Sequence, residues 1–161
     1  MRYLTAAGTV FSHLTIVALY TLVFWGLVRI SKTSFSFLNA FKLMIHSYFV
    51  LVLGQLSDTL ILYYQGIENI NSIYEISLTG LNVFTSVERV GATMYSFLMS
   101  INPFYIWFVG LLTVGLTVFT GMKTQKAFII SFIFWMLLIM YTVATIYFSQ
   151  VVIQRSGINI M

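Results

Sequence analysis

The sequence feature that most constrains the fold is an uncharged apolar segment that begins at Asn102-Pro103 and ends at Gly121. Pro103 is the only proline of the chain, and it suits the first position of a helix because it has no N–H to leave unpaired there. Asn102 can cap the free N–H groups of that helix, and Gly121 stands where a left-handed residue often follows a helix. These signals predict a helix over residues 103–120.

The aromatic residues and the composition indicate that this helix crosses a membrane. Phe104, Tyr105 and Trp107 lie near its start, where aromatic rings commonly meet lipid headgroups. Only 7% of the residues are charged and 60% are hydrophobic, whereas soluble domains carry about 25% charged residues. Because each span in lipid must satisfy its own backbone, long uncharged runs favour helices over barrel strands. The sequence therefore predicts an all-α, polytopic transmembrane helical bundle.

Four segments are long and apolar enough to be spans, since a bilayer core requires about 20 helical residues. We predict a single transmembrane domain over residues 1–161, with spans at about 5–30, 43–64, 103–120 and 127–152. The links between the first two spans and between the last two are short and polar. The aromatic stretch 35–41 is expected at the membrane interface, just before the second span.

The long segment between the second and third spans contains a further helical pattern. Thr85 and Glu88 match a capping box, as do Ser72 and Glu75 earlier in the segment. Apolar residues then recur at steps of three and four, at Val87, Val90, Met94, Phe97 and Ile101. This pattern predicts an amphipathic helix over about 85–100, lying on the membrane or capping the bundle.

The distribution of basic residues predicts an orientation. The two short links and their flanks carry five basic residues, and the opposite side carries three, Arg2, Arg89 and Arg155. Because cytoplasmic links are enriched in Lys and Arg, we predict a multi-pass protein of the cell (inner or plasma) membrane with both termini outside the cytoplasm. The five on the cytoplasmic side are Arg29, Lys32, Lys42, Lys123 and Lys126.

Polar residues inside the spans allow two interpretations. Small and hydroxyl residues follow helical spacing in the third and fourth spans, and they indicate either helix–helix packing or a polar pathway for a solute. We favour packing, because a pathway usually recruits more than hydroxyls. The residues are Gly110, Thr113, Thr117 and Thr120 in the third span, and Ser131, Trp135, Leu138, Thr142, Thr145 and Ser149 in the fourth.

The ionisable residues of the spans are the candidate intramembrane polar site. His13, His46 and Asp58 either bond to neighbouring helices or form a proton relay or metal site, but the two histidines are expected at different depths. His46 and Asp58 are retained as the candidate pair. No motif of a protease, esterase elbow or phosphate loop is present, so we expect neither an enzyme nor a catalytic, cofactor or metal site. A basic cluster typical of nucleic-acid binding is also absent from the sequence.

The chain resembles the Yip membrane family, the Ypt-interacting proteins and their bacterial relatives. The resemblance lies in Ile101-Asn102-Pro103-Phe104-x-x-Trp107, followed by Leu111-Leu112, Gly115-Leu116, Gly121 and Lys126-Ala127, and in the link Ser34-Phe35-Ser36-Phe37. It implies a structural motif formed by Asn102, Pro103, Phe104, Trp107, Gly115 and Gly121. Family members usually have five spans and a cytoplasmic amino-terminal region, so this chain would supply the last four. Three family features are absent: a Gly-Gly common before the second span here, a proline common within that span, and the amino-terminal motif of the trafficking members. The resemblance therefore implies a bacterial-type member that lacks the first span.

The resemblance also implies a function. Yip proteins are not known as enzymes; eukaryotic members engage small GTPases in vesicle traffic, and some bacterial members accompany ABC exporters. We therefore expect a non-enzymatic accessory or scaffold subunit of a larger membrane complex, in contact with lipid and with other membrane subunits or further copies of itself. The alternative is a small oligomeric transporter or channel for a polar solute.

Overall fold

The computed structural model describes residues 2–65 and 79–156. These residues form five α-helices and contain no strand, which confirms the all-α prediction. A 3₁₀ helix, Leu81–Phe84, precedes the third α-helix. The α-helices are α1 (Arg2–Ile30), α2 (Phe37–Gln65), α3 (Val87–Met99), α4 (Pro103–Thr120) and α5 (Thr124–Ser156).

The described residues include four helical stretches that are long and apolar enough to cross a membrane. They are Phe11–Ile30, Phe37–Tyr64, Val87–Thr120 and Thr124–Ser149. The third stretch has 34 residues, more than the roughly 20 that a bilayer core requires, and a break at residues 100–102 divides it into α3 and α4. Length and composition together place the chain among multi-pass membrane proteins.

Two helices begin earlier than the sequence pattern indicates. The second span was expected from residue 43 after an interfacial link over 35–41, but α2 already begins at Phe37. The Ser36 hydroxyl accepts a hydrogen bond from the Asn39 N–H at 3.2 Å, an N-cap interaction that stabilises this start. Similarly, α5 begins at Thr124 and not at residue 127, with the Ala127 N–H donating to the Lys123 carbonyl at 3.1 Å.

The chain divides into two compact units. The first unit comprises residues 1–50 and 107–134, and the second comprises residues 51–106 and 135–161. Aromatic rings form the centre of the first unit: Phe24 and Phe134 have centroids 5.3 Å apart, and Phe108 and Phe134 have centroids 6.3 Å apart. All three side chains are fully buried, so the Phe134 ring of α5 contacts both Phe24 of α1 and Phe108 of α4.

Large apolar side chains are exposed along every long helix. Val118 is 75% exposed, for example. A water-soluble protein rarely exposes contiguous apolar surface on this scale, whereas lipid tails solvate it. The outward surface is therefore suited to contact with a bilayer. Further examples are Phe11, Leu19, Leu22, Phe49, Leu56, Ile106, Val114, Phe128 and Met140.

Helix α3 differs from the continuous helix predicted over 85–100. Its N-cap is Ser86, which makes no side-chain capping bond, and Thr85 instead terminates the 3₁₀ helix, so the capping-box prediction at Thr85 is wrong. Gly91 (φ +77°) interrupts the helix, so the apolar spacing across residue 91 does not describe one continuous helix. The buried residues are Ala92, Tyr95 and Ser96, while Met94 is 48% exposed. The capping pattern at Ser72 and Glu75 lies outside the described residues.

Candidate functional site

The Asn102–Trp107 segment is organised around the start of α4. Helix α4 begins at Pro103 and ends at Thr120, the bounds that the sequence predicts. Asn102 is the N-cap: its side-chain oxygen accepts a hydrogen bond from the Tyr105 N–H at 2.9 Å. Its amide nitrogen donates to the Met99 carbonyl at 3.2 Å, so one buried side chain joins the last residue of α3 to the first turn of α4.

Phe104 and Trp107 take different environments. The Phe104 ring packs against Gly54 of α2, where an added Cβ would lie 3.0 Å from the ring. The absence of a side chain at Gly54 therefore allows the close approach of the ring. Trp107 is 55% exposed, as expected of an indole in contact with lipid headgroups.

The two glycines of the motif act on packing and on chain direction. Gly121 follows α4 with φ +68°, the left-handed conformation predicted for it, and its N–H donates to the Thr117 carbonyl at 2.8 Å. Gly115 lies against the Leu43 side chain, which an added Cβ would overlap. Within the first unit, α4 and α2 therefore approach closely at this glycine.

A cluster of buried polar residues surrounds the break between α3 and α4. We call it the junction cluster; it comprises Asn82, Tyr95, Ser96, Ser100 and Asn102, all of which are buried. The Asn82 amide donates to the Tyr95 hydroxyl at 3.1 Å, and the Leu81 N–H donates to the Ile101 carbonyl at 3.1 Å. These bonds hold the 3₁₀ helix against the end of α3.

Sequence reasoning did not identify the junction cluster. In the amphipathic helix predicted over 85–100, Ser96 and Ser100 fall between the apolar positions and are therefore expected on the polar face. Both are buried instead and bond back along the chain, Ser96 to the Ala92 carbonyl at 2.7 Å and Ser100 to the Ser96 carbonyl at 3.0 Å. Their spacing of one helical turn, together with an asparagine upstream in an apolar context, is the signal that indicates a shared buried face.

His46 and Asp58 do not form a joint site. They are separated by more than three turns of α2. His46 is exposed, and its Nδ1 lies 2.7 Å from the Lys42 carbonyl of its own helix. Asp58 is half-buried one turn after Gly54.

His13 lies instead beside two tyrosines. Its Nδ1 is 3.0 Å from the Tyr48 hydroxyl, and the Tyr20 ring contacts Tyr48 edge-on with centroids 6.1 Å apart. The arrangement links α1 to α2 through one polar contact, as in the interpretation that His13 bonds to a neighbouring helix. No group of three or more His, Cys, Asp or Glu side chains in residues 2–65 and 79–156 is arranged to hold a metal ion.

The hydroxyls of the predicted stripes bond to their own helices. Thr113 donates to the Val109 carbonyl at 2.8 Å, Thr117 to the Thr113 carbonyl at 2.9 Å, and Thr142 to the Leu138 carbonyl at 3.1 Å. Such bonds satisfy the hydroxyl without a second helix. Only Ser131 of these stripes has a buried hydroxyl with no partner in the described part of the chain.

Helix α2 presents a different polar group at the surface. Gln55 and Thr59 are both exposed, one turn apart, and the Thr59 hydroxyl donates to the Gln55 carbonyl at 2.8 Å. The side-chain amide of Gln55 makes no hydrogen bond with any of the residues that the structure describes. We call these two residues the α2 polar patch.

No protein-family model, curated protein or solved structure matches the chain. The resemblance to the Yip family is therefore carried by the Asn102–Gly121 segment and its flanks alone.

Proposed function

We propose that the chain is a non-enzymatic integral membrane protein of the Yip type, and that it acts as an accessory or scaffold subunit of a larger membrane complex. The observation that carries the proposal is the exposed amide of Gln55. This residue lies nine positions before the end of the candidate span Phe37–Tyr64, or about 14 Å along the helix. In a bilayer with a core about 30 Å thick, that position is within the hydrocarbon.

An amide at this depth needs a hydrogen-bond partner. Lipid tails offer none, and an unsatisfied polar group in hydrocarbon costs several kcal/mol. A neighbouring transmembrane helix removes that cost, and such contacts between helices contribute about 0.6–2 kcal/mol. The α2 polar patch is therefore suited to contact with another subunit of the membrane.

The other polar residues favour packing over a solute pathway. Apart from Ser131, the hydroxyls of the α4 and α5 stripes bond to carbonyls of their own helices, as Thr113 and Thr142 do. A chain of hydroxyls bonded in this way presents few free groups to a passing solute. The interpretation of the stripes as packing faces, together with the absence of catalytic motifs in the sequence, supports a subunit role.

The chain has no cysteine, which permits a clean cross-linking test. We expect Gln55→Cys, alkylated with maleimide-benzophenone, to photo-cross-link to a membrane neighbour in native membranes, because the excited benzophenone inserts into C–H bonds and needs no cysteine on that neighbour. Val118→Cys, on an exposed apolar face of α4, is the matched control and should cross-link weakly. The mass of the product distinguishes a different subunit from a second copy, and Gln55→Leu should release the neighbour from the protein purified in mild detergent.

Two outcomes would contradict the proposal. In the first, Gln55→Cys and Val118→Cys cross-link equally weakly and the protein is always purified alone. In the second, the protein conducts a flux of a polar solute that Asp58→Asn abolishes. The second outcome would favour the small oligomeric transporter predicted as the alternative.

The orientation and the position of α3 belong to the same proposal. We place α3 at the outer membrane surface, where Glu88 and Arg89 are exposed to water and the exposed Met94 contacts lipid. An impermeant maleimide added to whole cells should then label Glu88→Cys and leave Lys32→Cys unlabelled. Labelling of Lys32→Cys alone would reverse the orientation.

A further inference from the structure

Five basic side chains lie on the links and helix ends at one end of the first unit. We call them the basic surface: Arg29 at the end of α1, Lys32 in the first link, Lys42 in the second turn of α2, Lys123 before α5, and Lys126 in its first turn. All five are exposed. The two links are in direct contact, because the Lys126 ammonium donates to the Ser31 carbonyl at 2.9 Å.

The positive charge of this surface is not neutralised within the unit. The four acidic side chains of the sequence are Asp58, Glu68, Glu75 and Glu88, and none belongs to the first unit. The side-chain ammonium groups of Lys32, Lys42 and Lys123 make no ion pair or hydrogen bond with the described residues. Arg29 is held over an aromatic ring, with its guanidinium carbon 5.4 Å from the Trp25 centroid, and the cation remains accessible.

The backbone at Lys32 adds an independent observation. Lys32 has φ +58°, a left-handed conformation that costs a residue other than glycine of order 1–3 kcal/mol. The corresponding residue after α4 is Gly121, with φ +68°, which takes this conformation without strain. A lysine therefore occupies a position where glycine is better for the fold, and its charge is the feature that glycine lacks.

Apolar side chains beside the basic surface define the chemical class of ligand. Ile30 is 80% exposed and Leu38 is 61% exposed, and they adjoin Arg29 and the α1–α2 link in the chain. Cations next to exposed aliphatic and aromatic groups match a molecule with an anionic head and acyl tails, since Lys and Arg extend apolar stems and place their charge at the interface. A soluble phosphate would leave these apolar groups uncovered.

We propose that the basic surface binds the phosphate headgroup of an anionic phospholipid, with Lys32 and Lys123 contacting the phosphate and Ile30 and Leu38 contacting the acyl chains. Each Lys or Arg near an anionic membrane strengthens association by about five-fold. Removal of both lysines should therefore weaken the binding by about 30-fold. This inference does not depend on the α2 polar patch or on the identity of any protein partner.

The test measures lipid binding to the purified full chain in neutral detergent by native mass spectrometry. Dioleoylphosphatidylglycerol should bind at least ten-fold more tightly than dioleoylphosphatidylcholine. The double variant Lys32→Gly, Lys123→Gln should lose about 30-fold in affinity for the anionic lipid. Arg89→Gln, which removes the same kind of charge in the second unit, should change that affinity less than two-fold.

The single variant Lys32→Gly separates binding from folding. Its midpoint of thermal unfolding should be unchanged or higher, because glycine relieves the left-handed strain, while its lipid affinity falls about five-fold. The proposal is overturned if the two lipids bind equally, if Arg89→Gln weakens binding as much as the double variant, or if millimolar inorganic phosphate alone displaces the lipid. A loss of both stability and binding in Lys32→Gly would also overturn it, since it would assign Lys32 a structural role.

Discussion

Asn102 provides the sharpest test of how the α3–α4 junction is stabilised. Its buried side chain makes two bonds: the oxygen caps α4 through the Tyr105 N–H, and the nitrogen donates to the Met99 carbonyl at the end of α3. Asn102→Ala removes both. Loss of an N-cap costs about 0.5–2 kcal/mol, and loss of a neutral hydrogen bond costs about 1 kcal/mol, so we expect the free energy of unfolding to fall by about 2 kcal/mol.

A series at this position separates the two bonds. Asn102→Ser retains an oxygen that can cap α4 but loses the bond to Met99, and we expect it to lose about 1 kcal/mol. Asn102→Asp also retains the cap, but its carboxylate faces the Met99 carbonyl. It should therefore be less stable than Asn102→Ser, although a carboxylate is favourable at a helix N-terminus.

The assay is reversible unfolding in mixed detergent micelles, with helix content followed by circular dichroism. Ser149→Ala is the control, because the Ser149 hydroxyl is exposed and bonds only to the Ile146 carbonyl of its own helix. It should change the free energy of unfolding by less than about 0.5 kcal/mol. If Asn102→Ala were as stable as this control, or no less stable than Asn102→Ser, the cap would not stabilise the junction and the reasoning would be refuted.

Two further predictions concern packing in the first unit. Gly115→Ala should lower the free energy of unfolding by about 1–3 kcal/mol, because the new methyl group overlaps Leu43. Gly110→Ala should raise it by about 0.5–1 kcal/mol, because no atom lies within 4 Å of the added Cβ and alanine favours a helix. Equal effects of the two substitutions in the same unfolding assay would contradict this. Phe134→Ala should destabilise more than Phe128→Ala, since Phe134 is fully buried and Phe128 is half exposed. Phe134→Ala should lower the free energy of unfolding by less than the 3–5 kcal/mol that is common in water-soluble cores, because lipid also solvates the phenyl group of the unfolded chain. A larger loss would mean that water enters the cavity.

The features that were predicted from the sequence are those with local causes. Asn102, Pro103 and Gly121 each act within one turn of their own position, and the helix they delimit has the predicted bounds. Long uncharged runs are likewise recognised from their own hydropathy, so four apolar helices were predicted without knowledge of their neighbours. The start of α2 was missed by six residues because a single hydroxyl, that of Ser36, stabilises a helix N-terminus within an aromatic stretch.

The features that were not predicted depend on contacts between distant residues. The buried residues of α3 are Ala92, Tyr95 and Ser96, whereas Met94, one of its periodic apolar positions, is 48% exposed. The apolar spacing alone therefore did not identify the buried residues of α3, and Asn82 of the preceding 3₁₀ helix is buried with them. His13 contacts Tyr48 across 35 positions of sequence, and no local pattern contains that pairing.

In a chain whose solvent is lipid, polar residues indicate what surrounds a helix better than apolar residues do. Apolar residues are tolerated both inside and outside the bundle, so their pattern locates a span without showing what covers it. A polar atom at membrane depth needs a partner, and most of those described here have one: the threonines bond to their own helices, and Asn82 bonds to Tyr95. Among the polar side chains considered for the spans, Ser131 and Gln55 make no such bond with the described residues. Ser131 is buried, whereas Gln55 is exposed, so only the Gln55 side chain is accessible to a neighbouring helix. For that reason Gln55 is the position at which we propose contact with another subunit, and the cysteine control at Val118 distinguishes a polar contact from random collision in the membrane.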